Sequence, residues 1–444
     1  MRIQLSDHFN FRRLFRFTLP SIVMMIFTSI YSVVDGLFVS NVVGPDALSA
    51  ISIVMPMMIV VGAFGFMLGT GGSAEVARTL GEGDKQKANG VFTMIILCIV
   101  GVGITLSALC VVFMKPLCYA LGASDKIIAD CVTYGTICCT GMFAFMLQTT
   151  FQSFFVTSEK PKLGLVLTVC SGVTNIVLDF LFVYVMKMGI AGAALGTTLS
   201  YCVGGIVPLL YFSRKSNKSL LHFTKPKFYK RELLRSCTNG SSEMVSNISG
   251  AVVTFLYNNQ LMRIAGEQGV AAYTCIMYVN MVFIAILIGF SIGTAPVLGY
   301  NYGAQNIPEL KNMFRKCLCV VSVVSVVMTI AAELSAPFLL SIFVGHTDEL
   351  FVMTLRAFRI YSLGFLLCGF NIFASSLFTS LCNGRVSAVI SFLRTVVFQA
   401  GMILLLPYII GLDGVWFASL VAEVLSLAVS AFFVIAKRKE YQYI

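Results

Sequence analysis

Apolar residues run along this chain in twelve long blocks separated by short polar interruptions. The blocks fall at about residues 15–40, 47–72, 89–113, 131–156, 163–186, 190–213, 235–262, 270–296, 317–344, 356–381, 386–410 and 414–436. Each is as long as the roughly 20 residues a helix needs to cross a hydrocarbon core about 30 Å thick. The runs are continuous, without the period-two alternation of a membrane β-barrel. The pattern predicts an all-α polytopic membrane protein of twelve transmembrane helices.

The polar interruptions carry an uneven charge. With the N-terminus inside, 24 of the 31 Lys and Arg fall on the same side as the termini. Six (Lys115, Lys126, Lys187, Arg263, Arg356 and Arg359) fall on the other, and Arg394 lies within a block. By the positive-inside rule both termini are cytoplasmic and the chain sits in the plasma or inner membrane. The polar, basic start, MRIQLSDHFNFRRLFRF, leads into the first block with no small-residue cleavage site, so the first helix itself serves as the insertion signal.

The longest basic interruption divides the chain into residues 1–213 (helices 1–6), a linker at 214–234, and residues 235–444 (helices 7–12). A single ungapped shift of 222 residues pairs Gly44 with Gly266, Gly71 with Gly293, Gly81 with Gly303, Gly189 with Gly411 and Gly192 with Gly414. Recurring glycines at helix ends over the whole length indicate duplication. Each half starts and ends on the same side, so the expected fold is two six-helix lobes related by a parallel internal repeat. Secondary carriers are commonly built this way, with substrate between the lobes. The glycine-rich stretches GGSAEVARTLGEGDKQKANG and IGTAPVLGYNYGAQNIPELKN read as matched cytoplasmic loops, and neither has the GxxxxGK[ST] pattern of a phosphate cradle.

Composition agrees with this class: 58% of residues are hydrophobic and 11% charged, against about 25% charged for soluble domains. The net charge of +11 is then the cytoplasmic cation excess rather than a nucleic-acid footprint. The 14 cysteines lack zinc-ligand spacing and read as small packing residues. No metal set or Ser/His pair is visible, and His8, His222 and His346 lie outside the apolar blocks. No cofactor and no enzymatic activity are expected.

Candidate chemistry lies in the few ionisable residues within the blocks. These are Asp35, Asp179, Arg394 and Glu423, with Glu243 near the start of helix 7. A charge at membrane depth costs several kcal/mol, and its presence points to function. Tyr31 and Asp35 are four residues apart, as are Asn175 and Asp179, so each pair shares a helix face. Thr197 on the next helix offers a hydroxyl. Two carboxylates in one low-dielectric pocket titrate as a coupled pair, which suits proton coupling; the same oxygens suit Na⁺. Under the 222-residue shift Asp35 meets Tyr257 and Asp179 meets Gly401. The carboxylates are therefore a specialisation of the first lobe. Pro20 permits a kink in helix 1, or stands at its first turn. Met55, Met57 and Met58 on helix 2 are candidates for lining a soft apolar cavity.

Several pieces together resemble the MATE family, the multidrug and toxic-compound extrusion transporters. They are Pro20 with YSVVD over 31–35 and GPDALSA over 44–50, GEGDKQKA over 81–88, NIVLD over 175–179, GIAGAALGTTLS over 189–200, and Glu423 in VAEVLSL. The resemblance spans essentially the whole chain. In bacterial and archaeal members it implies a helix-1 hinge at Pro20 and an ion-coupling set of Tyr31, Asp35, Tyr134, Asn175, Asp179 and Thr197. Other members use C-lobe carboxylates on helices 7 and 10 for Na⁺. Here helix 10 has none after its start and Glu243 stands early on helix 7. Any Na⁺ site would then be Asp35, Asn175, Asp179 and Thr197, with Glu243, Arg394 and Glu423 left as C-lobe charges toward substrate.

The expectation is an antiporter exporting lipophilic, often cationic compounds by alternating access, coupled to H⁺ or Na⁺. Its partners are amphiphilic small molecules and membrane lipid, and two lobes in one chain imply a working monomer. The alternative is a lipid-linked precursor flippase of the same wider superfamily, which requires a cationic cavity. The other large twelve-helix carrier class usually has a G-x₃-D-x₂-G-[RK] loop between helices 2 and 3, which is absent.

Overall fold

The computed structural model describes residues 3–214, 219–341 and 349–444; Arg2, His346 and part of the linker lie outside them. The first lobe comprises α1 (Phe11–Val42), α2 (Pro45–Gly81) and α3 (Lys85–Val112). After a short helix (Met114–Ala120) come α4 (Ile128–Thr140 and Met142–Thr157), α5 (Pro161–Asp179, continued by a π-type turn at Phe180–Val185) and α6 (Gly189–Ser213). The second lobe opens with 74 helical residues, Lys230–Gly303, about 110 Å if straight. They are two spans, α7 and α8, reversed at Gly266, whose φ of 62° and ψ of −154° are non-helical. Tyr257 and Tyr273, on either side of that break, stack with ring centroids 4.6 Å apart. Then follow α9 (Ile307–Ser341), α10 (Glu349–Ser362 and Phe365–Ser380), α11 (Gly384–Phe392, a π-type turn at Leu393–Gln399, and Ala400–Ile410) and α12 (Leu412–Ala436).

The repeat is visible in the backbone. Gly44 and Gly266 have φ of 112° and 62°, Gly189 and Gly411 both 62°, and Gly83 and Gln305 88° and 53°, each pair 222 residues apart. The fourth helix of each lobe is bent, by 51° in α4 and 46° in α10. A large apolar core lies within each lobe, and another is shared, joining Leu14, Phe17 and Val156 to Phe290, Val297 and Phe314.

The two glycine-rich stretches are not loops. α2 continues to Gly81 and α8 to Gly303, leaving short turns beyond them. Residues 71–77 are buried because the lobes meet there. A Cβ on Gly71 would stand 2.0 Å from the Ser236 carbonyl oxygen, and one on Gly240 1.7 Å from that of Met67. The contact is reciprocal across the repeat: a Cβ on Gly81 would lie 2.1 Å from the Tyr300 oxygen, and one on Gly303 2.1 Å from that of Arg78. A helix whose neighbour must approach backbone to backbone reads in sequence like a glycine-rich turn. The linker is also shorter than expected, since α7 starts at Lys230, with Glu232 paired to Lys87 at 2.8 Å.

Each lobe is entered by an arm laid on the other lobe. Before α1, the Phe9 amide donates to Glu309 Oε1 at 2.9 Å, His8 Nδ1 lies 2.6 Å from Glu309 Oε2, and Asn312 donates to the Phe9 carbonyl at 3.0 Å. The Leu5 amide donates to Glu159 at 2.9 Å. Before α7, the His222 amide donates to Asn89 at 2.7 Å, the Thr224 amide to Thr93 at 3.1 Å, and Phe223 stacks on Phe92. At the same end of the bundle Asn383 donates to the Tyr441 hydroxyl at 2.9 Å, so both termini share one face.

Candidate functional site

Pro20 lies inside α1, nine residues after its start at Phe11, so it is not a first-turn proline. It removes the bond that the Arg16 carbonyl would otherwise accept. There α1 meets α8 closely: Cβ atoms on Gly289 and Gly293 would stand 2.7 Å from the Ser21 carbonyl oxygen and 2.9 Å from Thr18 Cγ2.

Four turns further along α1 lies Asp35. Its carboxyl lies beside that of Asp179 on α5. Asp179 is 2% exposed, with the Asn175 side chain near it one turn earlier on the same face. Thr168, Ser171, Gly172, Asn175 and Asp179 are the buried stripe of α5. One of its polar members is tied to the next helix, Ser171 Oγ donating to the Ser200 carbonyl at 2.7 Å. Gly172 lets α1 approach, since a Cβ there would lie 2.5 Å from Phe27 and 3.1 Å from Tyr31. On α6, Gly196 leaves room for the carboxylate: a Cβ there would stand 2.2 Å from Asp179 Oδ1. The helix widens into its π-type turn directly after Asp179, a distortion common at functional sites.

Asp35 Oδ1, Asn175 Oδ1 and Asp179 Oδ1 are all buried without a hydrogen-bond partner among the described residues. Three oxygen acceptors in one pocket with no donor facing them fit a cation or a shared proton. Tyr31 and Tyr134 lie near Asp35. Thr197 is buried beside Gly196, but its hydroxyl makes no bond to either carboxylate among the described residues. The structure adds Tyr201, close to Tyr31 and Asp35 and packed on Phe145 with centroids 4.8 Å apart. Its sequence signal was available: it follows Thr197 by one helical turn and is the repeat partner of Glu423.

The second lobe places a different group at matching positions. Arg394 stands where Gly172 does in the first lobe, and Glu423 where Tyr201 does. The Arg394 guanidinium donates to Glu423 Oε1 at 3.0 and 2.7 Å. Asn371 Nδ2 donates to Glu423 Oε2 at 2.7 Å, and Ser430 donates to Asn371 Oδ1 at 2.8 Å. Glu243 on α7 lies near Arg394. The three C-lobe charges are thus one cluster, with Arg394 held inside the second π-type turn. At Asp35's repeat position, Tyr257 is 1% exposed and stacked on Tyr273. Of the three candidate methionines on α2, Met58 is buried in the lobe core, Met57 packs against it, and Met55 is exposed.

The MatE family model matches twice, over residues 20–181 and 243–404. The multidrug export protein MepA of Staphylococcus haemolyticus (strain JCSC1435) is 23% identical over 433 residues, 96% of this chain and 94% of that protein. A MATE transporter crystallised in complex with MaL6 superposes with a TM-score of 0.91 at 22% identity, covering 97% of both chains. A multidrug resistance MATE family transporter of the MOP superfamily, solved in an outward-facing conformation, gives 0.90 at 23% identity over 97% of this chain and 96% of that one. With a family model matched in both halves of a twelve-helix, two-lobed bundle, this chain belongs to the MatE family of membrane transporters.

Proposed function

We propose that the chain is a cation-coupled exporter of lipophilic, often cationic small molecules. It works as a single chain in the plasma membrane with both termini in the cytoplasm. The observation that carries this reading is the N-lobe pocket with its three unpartnered oxygens, Asp35 Oδ1, Asn175 Oδ1 and Asp179 Oδ1. H⁺ or Na⁺ entering from outside binds there. Neutralising the carboxylates weakens their attraction for a cationic compound held between the lobes, which leaves. Loss of the ion resets the carrier, and Pro20 gives α1 a place to bend as the charge changes. The family match and the MepA relatives, named for multidrug export, support the substrate class. Glu243 and Glu423 against the single Arg394 give the C-lobe cluster one excess carboxylate, suited to a substrate cation. Because Arg394 is engaged by Glu423 at 2.7 Å, the cluster does not supply the cationic cavity that a flippase for lipid-linked phosphates needs.

The test is efflux of a fluorescent cation from cells carrying Asp35→Asn or Asp179→Asn. Each is expected to abolish it, and full efflux in both sinks the mechanism. Reconstituted transport under an imposed pH gradient, then under an imposed Na⁺ gradient, identifies the ion.

A further inference from the structure

Away from both charge clusters, a cavity of about 360 Å³ opens on the termini face between the starts of α1 and α5. It is lined by Arg16, Lys160 and Lys162, by Glu159, and by apolar groups including Phe17 and Leu163. The single carboxylate is engaged, accepting the Leu5 amide at 2.9 Å. Lys160 is held in place by the Tyr211 hydroxyl, its ammonium 5.0 Å from that ring's centroid. The remaining cations, Arg16 and Lys162, lie on exposed faces of their helices.

Depth and surroundings narrow the ligand. Arg16 is in the second turn of α1 and Lys162 is the second residue of α5, the level of lipid headgroups for helices that enter the membrane here. Along the same faces toward the membrane interior, Leu19 follows Arg16 by three residues and Val166 follows Lys162 by four, each 54% exposed. Cations therefore stand over an uncovered apolar surface, with the positive end of the α5 dipole adding to their field. Basic pockets of this form at the rim of a helical bundle bind anionic headgroups. The geometry points to a bound anionic phospholipid, its phosphate held by Arg16, Lys160 and Lys162 and its acyl chain lying on Leu19 and Val166. The lipid bridges α1 and α5 beside the Leu5 amide's bond to Glu159, and so braces the packing of α1 on α5 there.

The experiment uses the delipidated, purified full chain titrated separately with phosphatidylglycerol, phosphatidylcholine and inorganic phosphate. Retention is read by native mass spectrometry and unfolding by a thermal shift. Phosphatidylglycerol is expected to be retained and to raise the unfolding temperature, and phosphatidylcholine to do neither. Arg16→Gln with Lys162→Gln should weaken retention by roughly thirtyfold, from about a factor of five per cation. Arg16→Lys with Lys162→Arg should restore it. The matched removal Lys311→Gln with Arg315→Gln, on α9 outside the cavity, should leave it unchanged. Equal binding of the two lipids, or equal loss in the α9 control, overturns the site. A phosphate-induced shift as large as that of phosphatidylglycerol, competing with it, assigns the cavity to a soluble anion and overturns the lipid.

Discussion

Gly196→Ala is the smallest change that tests the N-lobe pocket without removing any of its charges. The added Cβ would stand 2.2 Å from Asp179 Oδ1 and 3.2 Å from Cγ, where ordinary contact begins at 3.4 Å. The carboxylate must retreat by about 1.2 Å, away from α6 and out of its present register with Asn175 and Asp35. Overpacking of this kind costs about 1–3 kcal/mol, within a total stability of roughly 5–15 kcal/mol, so the protein still folds. A positional error of about 1 Å at a working site lowers rate by about a hundredfold. Efflux should therefore fall by one to two orders of magnitude, with a changed dependence on pH or Na⁺, while the thermal unfolding temperature drops by a few degrees. Gly192→Ala, one turn earlier on α6, is the control. Its Cβ would press on the Phe182 and Met188 region at 3.0–3.1 Å, adding strain without touching the carboxylate. If Gly196→Ala retains full efflux with unchanged ion dependence, or Gly192→Ala matches its loss, Asp179 is not where coupling occurs.

The other expectations are as direct. Glu423→Ala strands the Arg394 guanidinium, and losing one partner of a buried pair destabilises by about 3–5 kcal/mol. The combined Glu423→Leu and Arg394→Met should recover most of that in thermal unfolding, and a double variant no more stable than the single one contradicts the pairing. Gly81→Ala and Gly303→Ala meet reciprocal carbonyl oxygens at 2.1 Å, so both should hold the lobes apart on the termini face to the same extent. Spin-label distances across that face check this, and an effect from only one of the two breaks the symmetry argument. Asp84→Ala removes the cap that accepts the Lys87 amide at 2.9 Å and should lower stability by about 0.5–2 kcal/mol, with transport kept in the folded fraction.

Much of this architecture could be read from the chain because the membrane imposes it. Twelve runs of apolar residues mark twelve spans, and two of the glycine pairs recurring at 222-residue spacing mark turns with a positive φ, at Gly44, Gly189, Gly266 and Gly411. The carboxylates Asp35 and Asp179 stood out because apolar neighbours leave a charge nowhere to hide. What could not be read depended on contacts between elements far apart in sequence. The ends of α2 and α8 look like loops because glycine, serine and alanine serve equally for turns and for backbones pressed together; only the partner lobe decides. The bends in α4 and α10 have no proline at the break. Arg394 and Glu423 each looked like an isolated charge, and 29 residues separate them. Tyr201 was hidden because an aromatic on a membrane helix is ordinarily a packing residue.

The crossed arms bear on how such a molecule arose. Residues 8 and 9 before α1 grip α9, and residues 222–224 before α7 grip α3, so each arm reaches across to the other lobe. A six-helix ancestor built on this plan would have worked as a pair of chains, each lending its arm to its twin. On that plan, fusion of two genes would leave the exchange intact and turn the second arm into an internal connector. It would also free the lobes to diverge, since a change in one would no longer appear in both; here one lobe has Asp35 and Asp179 and the other the Arg394–Glu423 pair.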